Sequence, residues 1–286
     1  MCLADYGQEL DPRSYSVLPK GLNAAALGLS YSTGNVITDF TSPIQNLDIQ
    51  TYIVSAAYFR TFSIFNKLSR IAIALPYGYL NGTAKAFGID TSASRNGFAD
   101  AKIKFGINLL GSPVLEPKDF SKFQEHTVLG VSVVFSVPIG QYFPEKLINL
   151  GSNRWGFKPE IGFSQRAKRL YYEIYSGVWI FTTNDQYLKT GKLHQEPLLS
   201  FQSHIDYAFK HGRYIAFNAG FTEGGQTSLN DIDRNDQQTN WRLGLTFSTP
   251  VFNKHQSIKL LLNTGIATKA GQNYTAITLF YQYTWF

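Results

Sequence analysis

Hydrophobic and polar residues alternate with a period of two along most of this 286-residue chain. The pattern is clearest in 98–110, where Ile103 and Phe105 alternate with lysines. Because successive side chains of a β-strand point to opposite faces, this period predicts strands rather than helices. The twelve predicted strands are 24–34, 48–62, 68–80, 98–110, 127–139, 154–166, 169–183, 198–210, 213–222, 240–250, 257–267 and 274–286. The sequence therefore predicts an all-β protein built on an antiparallel sheet.

The predicted strands are long enough to cross a membrane. They run for ten to fifteen residues, whereas strands of soluble proteins have roughly five or six and a tilted strand crosses a bilayer with about 9–11. A soluble sandwich or a lipocalin-like barrel would show the same alternation. However, Lys102 or Lys104 facing lipid near the midplane would cost about 2–4 kcal/mol each, so the polar face must meet water. The pattern favours a transmembrane β-barrel of about twelve strands.

Short and long connections alternate along the chain. In outer-membrane barrels the short turns are periplasmic and the long loops external, so an even strand number places both termini in the periplasm. We expect 1–23 to form an N-terminal periplasmic segment that enters the barrel, and 24–286 to form the barrel itself. The connection 111–126 is long for a periplasmic turn and is expected to hold a short helix.

Both ends of the chain carry signals of an envelope protein. Residues Met1 to Ala4 resemble the end of a signal peptide, which would let the mature chain begin near Asp5; a lipid-modified Cys2 is the alternative. The last predicted strand, from Tyr274 to Phe286, ends on an aromatic residue and resembles the strand that the outer-membrane barrel-assembly machinery reads. Phe286 departs from that pattern because it falls on the opposite face from the other apolar positions. The expected partners are outer-membrane lipids and this machinery.

Composition narrows the functional classes. Charged residues are 16% of the chain, against roughly 25% in soluble domains, and no apolar run reaches the roughly 18 residues of a membrane helix. The net charge of +6 comes without a basic run, so we predict no nucleic-acid partner. The single cysteine allows no intramolecular disulfide or cysteine-based metal site. We predict no cofactor and no metal, because no phosphate loop, zinc motif or complete EF-hand is present.

Several short glycine-based motifs carry a family resemblance. They are Asp11 to Asn35, Gly97-Phe98-Ala99-Asp100, Gly130 through Pro138-Ile139-Gly140, and Asn149-Leu150-Gly151. Together they make the chain resemble the outer-membrane transporters of the phenol meta-pathway family, over nearly its whole length. Ala99 and Ile139 depart from that pattern, which typically has Gly and Thr there. The resemblance implies a small barrel in the outer membrane of a Gram-negative bacterium.

Charged and aromatic side chains on the polar faces are the candidates for lining the lumen. The candidate residues are Lys102, Lys104, Lys158, Glu160, Arg166, Glu173, Tyr175, His204, Asp206, Tyr214 and Arg242. The charged residues form either a constriction that selects solutes or a salt-bridge network that fills a narrow lumen, and the presence of both signs favours the network. Four inward aromatic residues would form either an apolar slot for a ligand or, as favoured here, plain packing: Tyr171, Tyr175, Trp179 and Tyr214.

The sequence predicts a channel or transporter for small solutes, with aromatic or hydrophobic ones as candidates. A plugged barrel with structural or adhesive work is the alternative. A barrel enzyme is less favoured: His204 and Asp206 could form an acid–histidine pair, but no motif places a nucleophile beside them. We therefore predict that the chain is not an enzyme.

Overall fold

The computed structural model describes residues 10–37, 44–86, 88–120 and 122–286. In chain order the strands are β1 (Asn23–Ile37), β2 (Ile44–Ile64), β3 (Lys67–Ala86), β4 (Ile89–Phe98), β5 (Ala101–Leu110), β6 (Thr127–Val137), β7 (Gly156–Ala167), β8 (Leu170–Phe181), β9 (Asn184–Tyr187), β10 (Gly191–Gln195), β11 (Leu198–Ala208), β12 (Tyr214–Gly224), β13 (Thr227–Leu229), β14 (Ile232–Asp233), β15 (Gln238–Val251), β16 (Asn253–Ala267) and β17 (Gly271–Trp285). A short helix, α1 (Pro117–Phe120), lies in the connection between β5 and β6, where the sequence predicted one.

The sheet closes on itself. In the described ranges, twelve strands pair in the order β1, β2, β3, β5, β6, β7, β8, β11, β12, β15, β16, β17, and β17 pairs back onto β1 from Asn23↔Trp285 to Ile37↔Gly271. Every neighbouring pair is antiparallel. The predicted twelve-stranded antiparallel barrel is thus confirmed. Residue 22 and the end of β17 mark the terminal rim of this barrel, and the opposite end is the loop rim.

The structure contains a strand, β4, where the sequence predicted a loop. The prediction ran 98–110 as one strand and 81–97 as a loop, but β3 continues to Ala86 and the chain returns as β4 before β5 begins. β5 pairs with Ser69–Ala74 of β3, and β4 pairs with Tyr77–Ala86 of the same strand. The break falls between Phe98 and Ala101, after Gly97 at φ +155°. The sequence did not predict β4, because this strand is polar on both faces and so lacks the alternation of apolar and polar residues.

The outward face of the barrel is apolar and carries aromatic residues toward both rims. Tyr31, Tyr52 and Tyr79 lie side by side across β1 to β3, with tilted rings whose centroids are 4.9 and 6.5 Å apart. Tyr58, at the other end of β2, lies 6.3 Å from Trp285. Aromatic girdles at two levels, with exposed aliphatic residues such as Leu27, Ile174 and Leu243 on the same face, are typical of a membrane-spanning barrel.

The connection between β6 and β7 folds over the loop rim. Asp100, which is buried, accepts hydrogen bonds from the amides of Gly140 at 3.0 Å and Ser152 at 2.8 Å. Gly140 and Gly151 are in backbone contact, because a Cβ on either would lie within 2.7 Å of the other residue. This connection, residues 138–155, is called the cap loop.

The cap loop reaches the opposite wall of the barrel. Its Ile148 and Leu150 are buried in an apolar cluster whose other members come from β1 to β3, from β17 and from the break after β4: Val36, Leu47, Ile49, Leu80, Ala99 and Tyr274. The loop rim is therefore narrowed by a hydrophobic cluster that spans the lumen.

A second, smaller sheet lies beyond the loop rim. β9 and β10 from one connection pair with β13 and β14 from the next, in the order β14, β13, β10, β9. The sequence predicted these stretches as loops, since strands of two to five residues carry too little alternation to be recognised. No helix in the described part of the chain is long and apolar enough to cross a membrane.

The Asp100 carboxylate should hold the cap loop in place. We expect Asp100→Ala to lower the free energy of unfolding by about 2 kcal/mol or more, because two buried amides lose their acceptor at about 1–3 kcal/mol each. Urea unfolding in detergent measures this, and limited proteolysis should cut 138–155 faster. Asp90→Ala is the control, since Asp90 is 86% exposed with Lys85 4.0 Å away. An equal effect of both changes would contradict the anchoring role.

Candidate functional site: the lumen and its plug segment

Residues 10–22, here called the plug segment, run inside the barrel rather than beneath it. Their backbone is held by side chains of the wall: Asn108 Nδ2 donates to the Tyr15 carbonyl at 3.0 Å, and Arg70 donates to the carbonyls of Ser14 and of Ser16, the latter at 3.1 Å. Because the wall supplies donors to consecutive carbonyls, the segment has a defined path through the lumen.

Tyr15 is the deepest anchor of the plug segment and is 1% exposed. Its ring lies on Gly130 and Gly162, which face each other across β6 and β7. A Cβ on Gly130 would lie 2.4 Å from the ring, and one on Gly162 would lie 2.0 Å from it. The hydroxyl lies 2.9 Å from Ser132 Oγ and donates to Glu160 Oε1 at 3.0 Å. These residues form the tyrosine cradle.

The predicted charged residues of β5 and β7 form an ion-pair cluster around this cradle. Glu160 pairs with Lys158 at 2.9 Å and with Lys104 at 3.1 Å. Lys102 donates to Ser136 Oγ at 2.8 Å. The geometry matches the salt-bridge network that the sequence favoured, because Glu160 and Lys158 are almost fully buried and a buried charge needs such partners. A role for these residues in selecting solutes stays a prediction.

Arg13 occupies the place predicted for an apolar slot. Its guanidinium lies between the rings of Tyr171 and Tyr214, at 4.5 and 4.2 Å from their centroids. Arg13 Nε donates to Asp206 at 3.1 Å, and its backbone N–H donates to Glu173 at 2.6 Å. The tyrosines therefore form a cation-binding cage for the plug segment, stabilised by cation–π attraction.

The acid–histidine pair proposed from the sequence does not form. His204 Nδ1 is 2.8 Å from Asn218 Oδ1, while Asp206 bonds Arg13 of the plug segment. Neighbours two apart on a strand share a face but need not touch, and here each finds a partner elsewhere. A general-base interpretation of His204 thus has no geometric support.

The other three predicted lining residues also have defined surroundings. Tyr175 is buried and donates to Glu173 at 2.7 Å. Arg166 lies near the terminal rim, where its Nε donates to the carbonyl of Lys168 at 2.9 Å. Arg242 is buried on the inner face of β15. Of the predicted set, Glu160, Glu173 and Asp206 accept hydrogen bonds from the plug segment. Lys104, Tyr175 and Tyr214 contact the side chains of its Arg13 and Tyr15.

The lumen has a packed half and an accessible half. On β6, β8, β11, β12 and β15 the inward residues are almost fully buried, as Ser136, Trp179, His204, Asn218 and Thr246 show. On β1 to β3 and β17 some inward positions, such as Ala24, Ser32 and Ala276, are buried. Others keep partial exposure and are mostly small or apolar: Ala26, Ser30, Ile53, Ala57, Ala72, Ala74, Pro76 and Thr278. The accessible space inside the barrel therefore follows the wall formed by these four strands.

Sequence reasoning missed the two anchors of the plug segment. Arg13 and Tyr15 stand in the stretch that carries the family resemblance, but nothing in their own alternation points to a lumen. Gly130 and Gly162 fall on the polar faces of the predicted strands 127–139 and 154–166, where the alternation alone gives no reason for glycine. The available signal was that two inward glycines fall in register on neighbouring strands, which leaves a hollow that something must fill.

Comparisons with known proteins agree with the fold. Residues 30–285 match the family described as "Putative MetA-pathway of phenol degradation". The crystal structure of an outer membrane channel from Pseudomonas putida F1 is similar, with a TM-score of 0.81 and 16% identity over 97% of this chain and 100% of that chain. The β domain of the Bordetella autotransporter BrkA is similar with a TM-score of 0.53 and 10% identity, over 93% of this chain and 100% of that chain. No curated protein matches the sequence.

Glu125 gives the docked plug segment a pH dependence. Burial raises the pKa of its carboxyl to about 7, although a hydrogen bond from the Val17 amide and the charges of Arg13 and Arg166 oppose this shift. The ordinary value is 4.5, so between about 4.5 and 7 the folded protein binds more protons than the unfolded chain. The stability contributed by this group is therefore lost as the pH rises through that window.

Glu125→Gln should remove this dependence. Because glutamine resembles the protonated carboxyl, we expect the variant to unfold at a higher temperature than the unmodified protein at pH 8, with the difference shrinking toward pH 4.5. Thermal unfolding followed by heat modifiability on gels measures it. Glu116→Gln, at a side chain 58% exposed, is the control. A difference independent of pH would refute the assignment.

Filling the tyrosine cradle should expel the plug segment. We expect Gly162→Ala to leave the barrel folded but to make residues 10–22 accessible to protease, since the new Cβ would overlap the Tyr15 ring. Gly82→Ala is the matched control: this inward glycine has its nearest neighbour 3.6 Å from an added Cβ. Equal protection of the plug segment in both variants would mean that the cradle does not hold it.

Proposed function

The chain belongs to the family of the "Putative MetA-pathway of phenol degradation", and from this premise we propose that it is an outer-membrane channel for small solutes whose own plug segment closes it. The observation that carries the proposal is the docking of residues 10–22 inside the barrel beside an accessible wall. Side chains on the strands cannot leave the lumen unless the wall itself moves. Residues 10–22 form no strand of the wall, so they can be displaced as one segment.

The plug segment is held by contacts that can exchange. They are hydrogen bonds, two cation–π contacts of Arg13 and the ring packing of Tyr15. Such contacts have water or solute groups as alternatives once the segment moves, because a typical hydrogen bond contributes only about 0.5–1.5 kcal/mol net. A closed state and an open state can therefore lie within a few kcal/mol of each other.

The accessible half of the lumen suits uncharged solutes. Its wall on β1 to β3 and β17 is small and largely apolar, which lets a narrow solute pass without binding tightly. Lys102 and Lys104 face the same space from β5, with the Lys104 side chain 25% exposed. We propose that these two lysines bias the passage against cations.

The same architecture supports a proposal for the location. We propose that the barrel lies in the outer membrane of a Gram-negative bacterium, in contact with its lipids through the apolar outer face. The terminal rim, which carries the short turns, would face the periplasm, and the cap loop would lie outside. The assembly machinery would engage the strand that ends at Trp285. We propose no enzymatic activity, since His204 lacks the acid partner that a general base of this type requires.

A permanently plugged structural barrel is the second candidate, and the packed half of the lumen is the observation that favours it. Single-channel recording in planar bilayers separates the two. We expect the unmodified protein to be mostly closed, and the double variant Arg13→Ala with Tyr15→Ala to give frequent, discrete openings. Lys20→Ala is the control within the plug segment. The Lys20 side chain is 46% exposed, and its ion pair with Glu116 is long, at 3.8 Å.

Lys102 and Lys104 test whether ions pass along the accessible half of the lumen. In the double variant we expect their replacement by glutamate to shift ion selectivity toward cations, because the sign of the charge at the accessible wall reverses. If the double variant is folded and heat-modifiable but shows no openings, the channel proposal is contradicted and the permanently plugged structural barrel is supported.

A further inference from the structure

The tyrosine cradle has the chemistry of a binding site for a phenol. We propose that Tyr15 is a tethered occupant of a phenol-binding subsite, and that a free phenol takes its place when the plug segment moves. This inference rests on the proposed channel and names the solute class for which one of its lumen sites is built.

The shape of the cradle admits a flat ring and little else. Gly130 and Gly162 face each other across β6 and β7, and the ring lies where their side chains would stand, within 2.4 and 2.0 Å of the added Cβ positions. Glycine at both positions therefore leaves a hollow of aromatic thickness in an otherwise packed wall. An aliphatic or branched solute would not fit the same space without moving the strands.

Polar groups in the cradle bind the hydroxyl of the Tyr15 ring. Tyr15 donates to Glu160 Oε1 at 3.0 Å and lies 2.9 Å from Ser132 Oγ, so its oxygen has an acceptor and a hydroxyl partner. A ring without a hydroxyl would leave these two buried groups without that partner, which is a strong basis for discrimination. A benzoate would place its negative charge against Glu160.

The ring itself is held from two further sides. Tyr175 meets it edge-on, with centroids 5.0 Å apart and an interplanar angle of 65°. Lys104 Nζ lies 5.4 Å from the ring centroid. Both contacts are made with the aromatic part of Tyr15 alone, so a free phenol in the same position makes them all. Because the Lys104 side chain also reaches the accessible half of the lumen, it links the cradle to the route proposed for solutes.

The tethered ring sets how strongly a free phenol binds. A side chain on the same chain competes at an effective concentration in the millimolar range or above, so phenol must reach comparable levels to displace it. Weak, displaceable binding is what a passage requires, because a solute has to leave the site as well as enter it.

The first test empties the cradle. In the full-length Tyr15→Ala protein, we expect phenol and p-cresol to raise the thermal unfolding temperature, and toluene and benzoate to need at least about tenfold higher concentration for the same shift. Tyr15→Ala with Gly162→Ala is the matched control, in which the smaller hollow should reduce the response to p-cresol. Equal stabilisation by toluene and p-cresol would reduce the cradle to an unspecific apolar hollow and overturn the proposal.

The second test uses the unmodified channel and distinguishes the two proposals. We expect millimolar phenol, but not benzoate, to raise the frequency of openings in planar bilayers, and Tyr15→Phe to lower the phenol concentration required by several fold because it removes the anchoring hydroxyl. If Tyr15→Ala conducts but neither phenol nor p-cresol binds it, the channel stands and the subsite falls. If p-cresol binds with the stated selectivity while no variant conducts, the subsite stands and the channel falls.

Discussion

The contact between one tyrosine ring and two glycines organises the interior of this barrel. Tyr15 can lie against β6 and β7 only because Gly130 and Gly162 have no side chains. With the ring in place, Glu160 gains a hydroxyl donor beside its two lysines. The Tyr15 carbonyl accepts from Asn108, and the carbonyls on either side of it accept from Arg70. The charge balance of the lumen and the path of the plug segment thus depend on a hollow of aromatic thickness.

The motifs behind the family resemblance fall at the two closures of the lumen. Asp11 to Asn35 spans the plug segment and β1, whereas Gly97 to Asp100 and Asn149 to Gly151 meet at the base of the cap loop, where Asp100 bonds the amide of Ser152. Short glycine-based motifs suit such places because two backbones can approach closely there. The resemblance therefore describes how the two ends of the barrel are narrowed more than what the outer wall looks like.

The sequence predicted the barrel well because its lipid face repeats one physical requirement in every strand. Leu27, Ile174 and Leu243 must all be apolar and outward, and this period of two can be read locally. Contacts inside the lumen have no such period. Arg13 meets Asp206 across 193 positions of sequence, and the polar strand β4 is defined by its pairing with β3 rather than by its own composition. Those features depend on long-range geometry that alternation does not carry.

The plug segment precedes β1 in the chain, yet its partners come much later in the sequence. Arg13 contacts Glu173 and Tyr15 contacts Glu160, at separations of 160 and 145 positions. Contacts between residues so far apart form slowly, because a large loop must close before they contribute any energy. The plug segment can therefore dock only after β6, β7 and β8 are in place. Docking of the plug segment is consequently a late kinetic event that depends on the assembled wall.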